Sequence, residues 1–309
     1  MNRLVAIVGP TAIGKSRLAI KLAQALDGEI VNADSRQVYR FMDIGTAKPS
    51  PEELCLVPHH LVNIINPDED FSLAQYHKLA SEAISEIQSE DRLAFLVGGS
   101  GQYVWSVVEG WEIPQVLPDQ KLRHRLEEQA DKEGGQVLYR ELLRVDPVAA
   151  KKISPHNVRR VIRALEVYQS TGIPFSRLKR KDFPPFKTLI IGLTTDRKKL
   201  YRRIDLRVDD MIERGLVAEV EKLFSLGYDL NLPAMSGIGY KQIGLFLGGR
   251  LGLAEAIQQM KFATHRFVRH QYAWFRLTDD RIKWFDTEYE VDTEITDVVS
   301  EFLRGKKKE

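Results

Sequence analysis

The sequence predicts a doubly wound parallel α/β sheet built on a phosphate-binding loop and interrupted by a helical insertion. Three observations carry this. Short apolar, β-rich runs at 4–8, 29–33, 93–97, 188–193 and 282–285 alternate with helical patterns such as 15–26 and 72–88. The first run enters Gly9-Pro10-Thr11-Ala12-Ile13-Gly14-Lys15-Ser16, which opens a helix. Between the third and fourth runs, residues 112–185 read only as helices (119–133, 136–145 and 156–170), punctuated by Pro114, Pro118, Pro155, Pro174 and Pro184-Pro185. The expected organisation is therefore a discontinuous core, 1–111 with 186–309, around an insertion at 112–185.

Each element has its own justification. The runs at 4–8, 29–33 and 93–97 end in Gly9, Asp34 and Gly98-Gly99-Ser100. In a parallel sheet, ligands gather beyond the carboxyl ends of the strands, so one crevice can collect all three segments. Toward the C-terminus, helices are expected at 198–214, 216–226 and 253–276, with Gly215 and Gly227 at helix ends. The terminal Gly305-Lys306-Lys307-Lys308-Glu309 is expected to fray.

Composition narrows the class. The 309 residues are 43% hydrophobic and 28% charged, which fits an ordinary globular chain and excludes a disordered or fibrous one. The longest apolar runs fall far short of a membrane span, and the N-terminus reads as a strand and not a signal peptide. Cys55 is the single cysteine, so no intramolecular disulfide or cysteine metal cage is expected. A cytoplasmic location is the default. The net charge of +2 conceals an imbalance. Residues 121–207 hold 22 Lys/Arg against 10 Asp/Glu, an excess of +12, while the remainder carries −10. A basic block of this kind points to a polyanionic partner.

The loop at Gly9 to Ser16 supplies phosphate-binding chemistry. Its glycines let backbone N–H groups turn inward, the helix N-terminus adds a favourable dipole, Lys15 neutralises phosphate charge and Ser16 can ligate Mg²⁺. The loop leaves the reaction open. Nucleotide-hydrolysing enzymes and kinases place an acidic magnesium ligand at another strand end, whereas the strand at 93–97 ends in Gly98-Gly99-Ser100-Gly101. Asp34, at a strand end, is a candidate proton acceptor or simply a turn aspartate. Asp43 and Lys48 are candidates near the same site or ordinary loop residues. Arg203 and Arg207, four apart on one helix, either hold a diphosphate or pair with Asp205, Asp209 or Glu213. The seven histidines show no metal-ligand spacing, and the aromatic residues near Trp274 read as core.

The sequence resembles the bacterial tRNA dimethylallyltransferases. The resemblance is carried by Gly9 to Ser16, Asp34-Ser35-Arg36-Gln37-Val38-Tyr39, Met42-Asp43-Ile44-Gly45-Thr46-Ala47-Lys48-Pro49 and Val97-Gly98-Gly99-Ser100-Gly101-Gln102-Tyr103, in that order. Asp146-Pro147, Arg163-Ala164-Leu165-Glu166-Val167, Gly239-Tyr240-Lys241-Gln242 and Gln271-Tyr272-Ala273-Trp274-Phe275-Arg276 extend it over essentially the whole chain. It implies a soluble, monomeric enzyme that transfers a dimethylallyl group from dimethylallyl diphosphate to N6 of the adenine 3′ of the anticodon, with Mg²⁺. On the same basis the loop Gly9, Pro10, Thr11, Ala12, Ile13, Gly14, Lys15 and Ser16, with Arg203 and Arg207, binds the diphosphate. Asp34 is the implied general base, assisted by Ser100, Lys15 and Arg207. Asp34, Ser35, Arg36, Gln37 and Ser100 line the tRNA edge, and Arg123, Arg159, Arg160 and Arg163 contact the anticodon stem-loop. Departures from the family pattern are Ser100 where threonine is usual, Ile13 for a common serine, and His265 and His270 where arginines are common. Competing readings are a small-molecule kinase sharing the loop, an isopentenyltransferase for free adenine nucleotides, and a non-catalytic RNA-binding module.

Overall fold

In the computed structural model, residues 3–114, 116, 119–178 and 186–305 are described. The expected breaks at Pro118 and Pro184-Pro185 and the expected frayed tail beyond Gly305 lie outside these residues. The chain divides into two compact units, one of Met1–Val108 with Pro184–Glu309 and one of Glu109–Phe183.

The first unit opens with β1 (Arg3–Val8), α1 (Lys15–Ala25), β2 (Gly28–Asn32), α2 (Pro51–Leu56), β3 (His59–His60), α3 (Leu73–Ser89), β4 (Leu93–Gly98) and α4 (Gly101–Val108). The second unit holds α5 (Gln120–Glu133), α6 (Gly135–Val145), α7 (Pro147–Ala150), α8 (Val158–Thr171) and α9 (Phe175–Leu178), with no strand among its described residues. The chain then returns to the first unit with β5 (Lys187–Thr194), α10 (Arg197–Glu213), α11 (Leu216–Ser225), a 3₁₀ turn at Ala234–Ser236, α12 (Tyr240–Leu247), α13 (Leu253–Trp274), β6 (Ile282–Asp286) and α14 (Asp292–Arg304).

The six strands form one sheet in the order β3-β2-β4-β1-β5-β6, with every neighbouring pair parallel. Five were legible as apolar runs. The sixth, β3, is only two histidines on the edge, registered Ile30↔His59 and Val31↔His60. Alternation along β1 sends Val5 and Ile7 into a core with Leu18 and Leu22 of α1, Leu200 and Ile204 of α10, and Ile295 and Val299 of α14. Leu4, Ala6 and Val8 face the other side and are equally buried. A strand covered on both faces reads as a continuous apolar run, which is why β1 and β4 were visible.

The order also fixes where a ligand can sit. The connection from β1 leads over β4 to β2, while the connection that follows β4 leads to β5 on the opposite side. The switch point lies between β1 and β4, at the carboxyl ends of both. A second apolar core joins Val38 and Met42 to Val220 and Leu223 of α11, Tyr240 and Ile243 of α12, and Met260 of α13. In the second unit, Leu122, Leu126, Leu138, Leu142, Val161 and Leu165 interleave at helical spacing to form its own core.

Candidate active site

Backbone geometry builds the loop after β1. Gly9 has φ +141° and a Cβ there would lie 2.6 Å from the Leu193 carbonyl of β5, so only glycine fits. Gly14, at φ +103°, precedes the first turn of α1. Ile13 is buried in the sheet core, which explains why an apolar residue is acceptable in the loop. Lys15 arches back to donate to the Pro10 carbonyl at 2.7 Å. Its ammonium is held down to about 8, first by burial and further by the Arg207 charge, against an opposing pull from Asp34. Lys15, Asp34 and Arg207 thus share one electrostatic neighbourhood. The Ser16 hydroxyl is exposed, with no hydrogen-bond partner among the described residues.

Asp34 follows β2 in an Asx turn, accepting the Arg36 N–H at 2.8 Å through Oδ1. Its own N–H donates to Asn32 Oδ1 at 3.0 Å, while Asn32 Nδ2 donates to the carbonyls of Asp34 and Leu61 at 3.1 and 3.0 Å. Tyr76 donates to the Asn32 carbonyl at 3.0 Å and stacks on Tyr103 at a centroid distance of 3.6 Å. Burial raises both phenols, so they stay neutral beside the carboxylate.

The glycine-rich turn after β4 is a packing device. A Cβ on Gly98 would sit 2.1 Å from the Ala33 carbonyl, one on Gly99 2.1 Å from Gln271 Nε2, and one on Gly101 2.2 Å from the Trp274 ring. This closeness brings Ser100 to Asp34's neighbour. The Ser35 N–H donates to Ser100 Oγ at 3.0 Å, and the Ser100 hydroxyl donates to Ser35 Oγ at 3.2 Å. The hydroxyl alone makes both bonds, so serine serves here without threonine's methyl.

The other predicted positions separate into engaged and free groups. Arg36 donates to the Pro233 carbonyl at 3.0 Å, and Gln37 to the Thr46 and Ala47 carbonyls at 3.2 and 3.1 Å. Lys48, almost wholly buried, is spent on Asp43, Asn63 and the Tyr39 carbonyl. Both therefore hold the loop 43–49 against the Asp34 segment. Of the arginine pair on α10, Arg203 donates to Thr287 Oγ1 at 3.0 Å. Arg207 has no hydrogen-bond or ion-pair partner among the described residues, and burial lowers its guanidinium. An unpaired, partly enclosed cation beside a phosphate loop awaits an anion.

Two acidic residues and one amide were missed by sequence reasoning. Glu219 of α11 accepts the N–H groups of Asp43, Ile44 and Gly45 at 3.0, 2.8 and 3.2 Å, and the Tyr240 hydroxyl at 2.6 Å. Gln271 of α13 is buried against the phosphate loop. In the second unit, fully buried Glu166 accepts from Arg123 Nε at 2.8 Å, Arg163 Nη1 at 2.6 Å and the Asp119 N–H at 2.8 Å. Arg123 and Arg163, read from sequence as RNA contacts, are thus bound to an internal carboxylate, whereas Arg159 and Arg160 are exposed. Glu166 and Gln271 had as sequence signal only their place in matching motifs, with no task assigned, and Glu219 had none. Of the two histidines at usual arginine positions, His265 stacks on Tyr201 at 4.0 Å and lies 2.9 Å from Asp205, and His270 is exposed. Among the described residues no group of three or more His, Cys, Asp or Glu could hold a metal.

The model of the IPP transferase family matches residues 37–278. The chain belongs to the tRNA dimethylallyltransferase, or IPP transferase, family. It is 51% identical over 306 residues to the tRNA dimethylallyltransferase of Dehalococcoides mccartyi, covering 99% of this chain and 94% of that protein. The tRNA dimethylallyltransferase of Roseiflexus castenholzii is 53% identical over 276 residues, 89% of this chain and 90% of that one. The crystal structure of the tRNA isopentenylpyrophosphate transferase of Bacillus halodurans superposes with a TM-score of 0.72 at 42% identity, covering 99% and 96% of the two chains. A eukaryotic dimethylallyltransferase described as acting on tRNA gives 0.83 at 26% identity, over 98% and 80%. The parallel α/β sheet expected from sequence is the architecture this family shares, and no described helix is long and apolar enough to cross a membrane.

Proposed function

We propose that this member of the tRNA dimethylallyltransferase family transfers the dimethylallyl group of dimethylallyl diphosphate to N6 of the adenine 3′ of the anticodon, tRNA position 37. The supporting observation is that Lys15 and Asp34, just beyond β1 and β2, share one electrostatic neighbourhood with the unpaired Arg207. An adenine amino group is a weak nucleophile, so the reaction needs charge stabilisation on the departing diphosphate, alignment and a proton acceptor. The loop 9–16, Lys15 and Arg207 take the diphosphate, with Arg203 beside them tied to Thr287. The allylic C–O bond breaks, the N6–C bond forms, and the N6 proton passes to Asp34. Ser100 and Ser35 fix the rim beside the base, while Arg36 and Gln37 hold that rim in place. The free Ser16 hydroxyl would hold a magnesium ion, which would neutralise leaving-group charge.

The helical unit contributes Arg159 and Arg160 to the phosphates of the anticodon stem-loop, and Arg123 and Arg163 support it from within. The two units are read as a catalytic core and a tRNA-binding insertion. The enzyme is read as a cytoplasmic monomer; every group assigned to the chemistry belongs to one unit of one chain. The test uses labelled dimethylallyl diphosphate, Mg²⁺ and an unmodified tRNA transcript, comparing wild type with Asp34→Ala. The expected result is transfer by wild type and a loss of about 10²–10³ in rate in the variant. Full activity in Asp34→Ala refutes the base assignment. Transfer to free AMP, or turnover of ATP in place of tRNA labelling, refutes the substrate.

A further inference from the structure

Gln271 lies at the meeting point of the two substrate regions. Its Oε1 accepts the backbone N–H of Thr11, inside the phosphate loop, at 2.9 Å. Its Nε2 donates to the carbonyl of Gly99, in the turn that carries Ser100, at 3.2 Å. The two partners fix the amide's orientation, because one can only donate and the other can only accept. The side chain is 3% exposed, so water does not substitute for either bond. Gly99 is glycine because a Cβ would collide with this amide at 2.1 Å and press on the Gly9 carbonyl at 3.3 Å. From Gly99 the path continues through Ser100 Oγ to the Ser35 N–H, the residue after Asp34. One buried amide therefore joins the diphosphate loop, through the Gly99–Ser100 backbone, to the residue beside the proposed base.

We infer that Gln271 is a positioning residue that couples the diphosphate loop to the Ser100–Asp34 rim, so that occupancy of either one sets the other. The Thr11 N–H is already committed to the glutamine, so any shift of the loop around a diphosphate pulls on Gln271 and, through it, on Gly99. The inference rests on the proposed reading of the loop as the diphosphate site. Such coupling requires an element whose arrangement both sites bias, and Gln271, bonded to the backbone of each, is the group placed to be that element.

The test is amide hydrogen exchange on the full chain, with and without inorganic pyrophosphate and Mg²⁺. In wild type, pyrophosphate is expected to protect 9–16 and also 98–101 and 33–36. Gln271→Met, of similar length and with neither bond, is expected to keep protection at 9–16 and lose it at 98–101 and 33–36. Gln271→Glu keeps the acceptor for Thr11 and removes the donor to Gly99, and the same pattern is expected. In steady state, with rates divided by the folded fraction that circular dichroism reads, both variants should lose about tenfold in kcat while the donor KM changes by less than about twofold; a kcat that returns to the wild-type value after that division marks general destabilisation and overturns the positioning role. Protection in wild type confined to 9–16, or linked protection that survives in either variant, overturns the coupling. No protection at 9–16 in wild type overturns instead the reading of the loop on which it rests.

Discussion

Raising the pH from 7 to 9 should weaken donor binding about tenfold, and Lys15 is the reason. Its ammonium sits near 8, held down mainly by burial. A bound diphosphate favours the charged form, so affinity is full below that value and falls as the pH rises through it. With a midpoint near 8, roughly nine-tenths of the free enzyme carries the charge at pH 7 and one-tenth at pH 9, a difference of about 1.4 kcal/mol in binding. The neighbours supply the internal control, because they act in opposite directions. Asp34 raises the Lys15 value and Arg207 lowers it. Asp34→Asn should therefore move the falling limb to lower pH, and Arg207→Gln should move it higher even as it weakens binding overall. Calorimetric titration with a non-reactive donor analogue measures this without turnover. A flat profile between pH 7 and 9, or limbs that move in the same direction in both variants, would show that some other group controls the site.

Three further outcomes follow from the contacts. Glu219→Ala leaves three backbone N–H groups and the Tyr240 hydroxyl without their acceptor; urea unfolding should show a loss of about 2–3 kcal/mol, and Glu219→Gln should lose less. Glu166→Gln should cost the helical unit about 3–5 kcal/mol by breaking a buried ion network. The Arg123 and Arg163 guanidiniums hold the Glu166 carboxyl below its usual range, so their support is present above the unfolded carboxyl's value and lost as the pH falls through the folded one; circular dichroism on acid titration of the full chain reads it. Arg159→Ala and Arg160→Ala should each raise the KM for tRNA and reduce the log–log salt slope by about one, and unchanged slopes in both would remove the RNA surface from α8.

What the sequence disclosed depended on the range of the interaction. The phosphate loop and its helix are local, and their residues are adjacent in the chain. The central strands are covered on both faces, so their burial is written as unbroken apolar runs. The edge strand His59–His60 has neither property, since its pairing comes from Ile30 and Val31 across the sheet. Glu219 and Gln271 act on loops 174 to 176 and 260 residues away in sequence. On an amphipathic helix pattern they are indistinguishable from solvent-facing polar residues. The basic block was legible only as a total. A charge count does not register which cations are already neutralised, and buried Glu166 claims two of the arginines it included.

The turn after β4 leaves little room for change. Gly98, Gly99 and Gly101 each abut a different neighbour at distances that admit no side chain. At three of four consecutive positions a side chain would force a neighbour to move, and the side-chain chemistry of this turn is confined to residue 100. Any drift in which base is accepted, or in how it is presented, has to be written there as a choice among small hydroxyl-bearing side chains, or else come from outside the turn altogether.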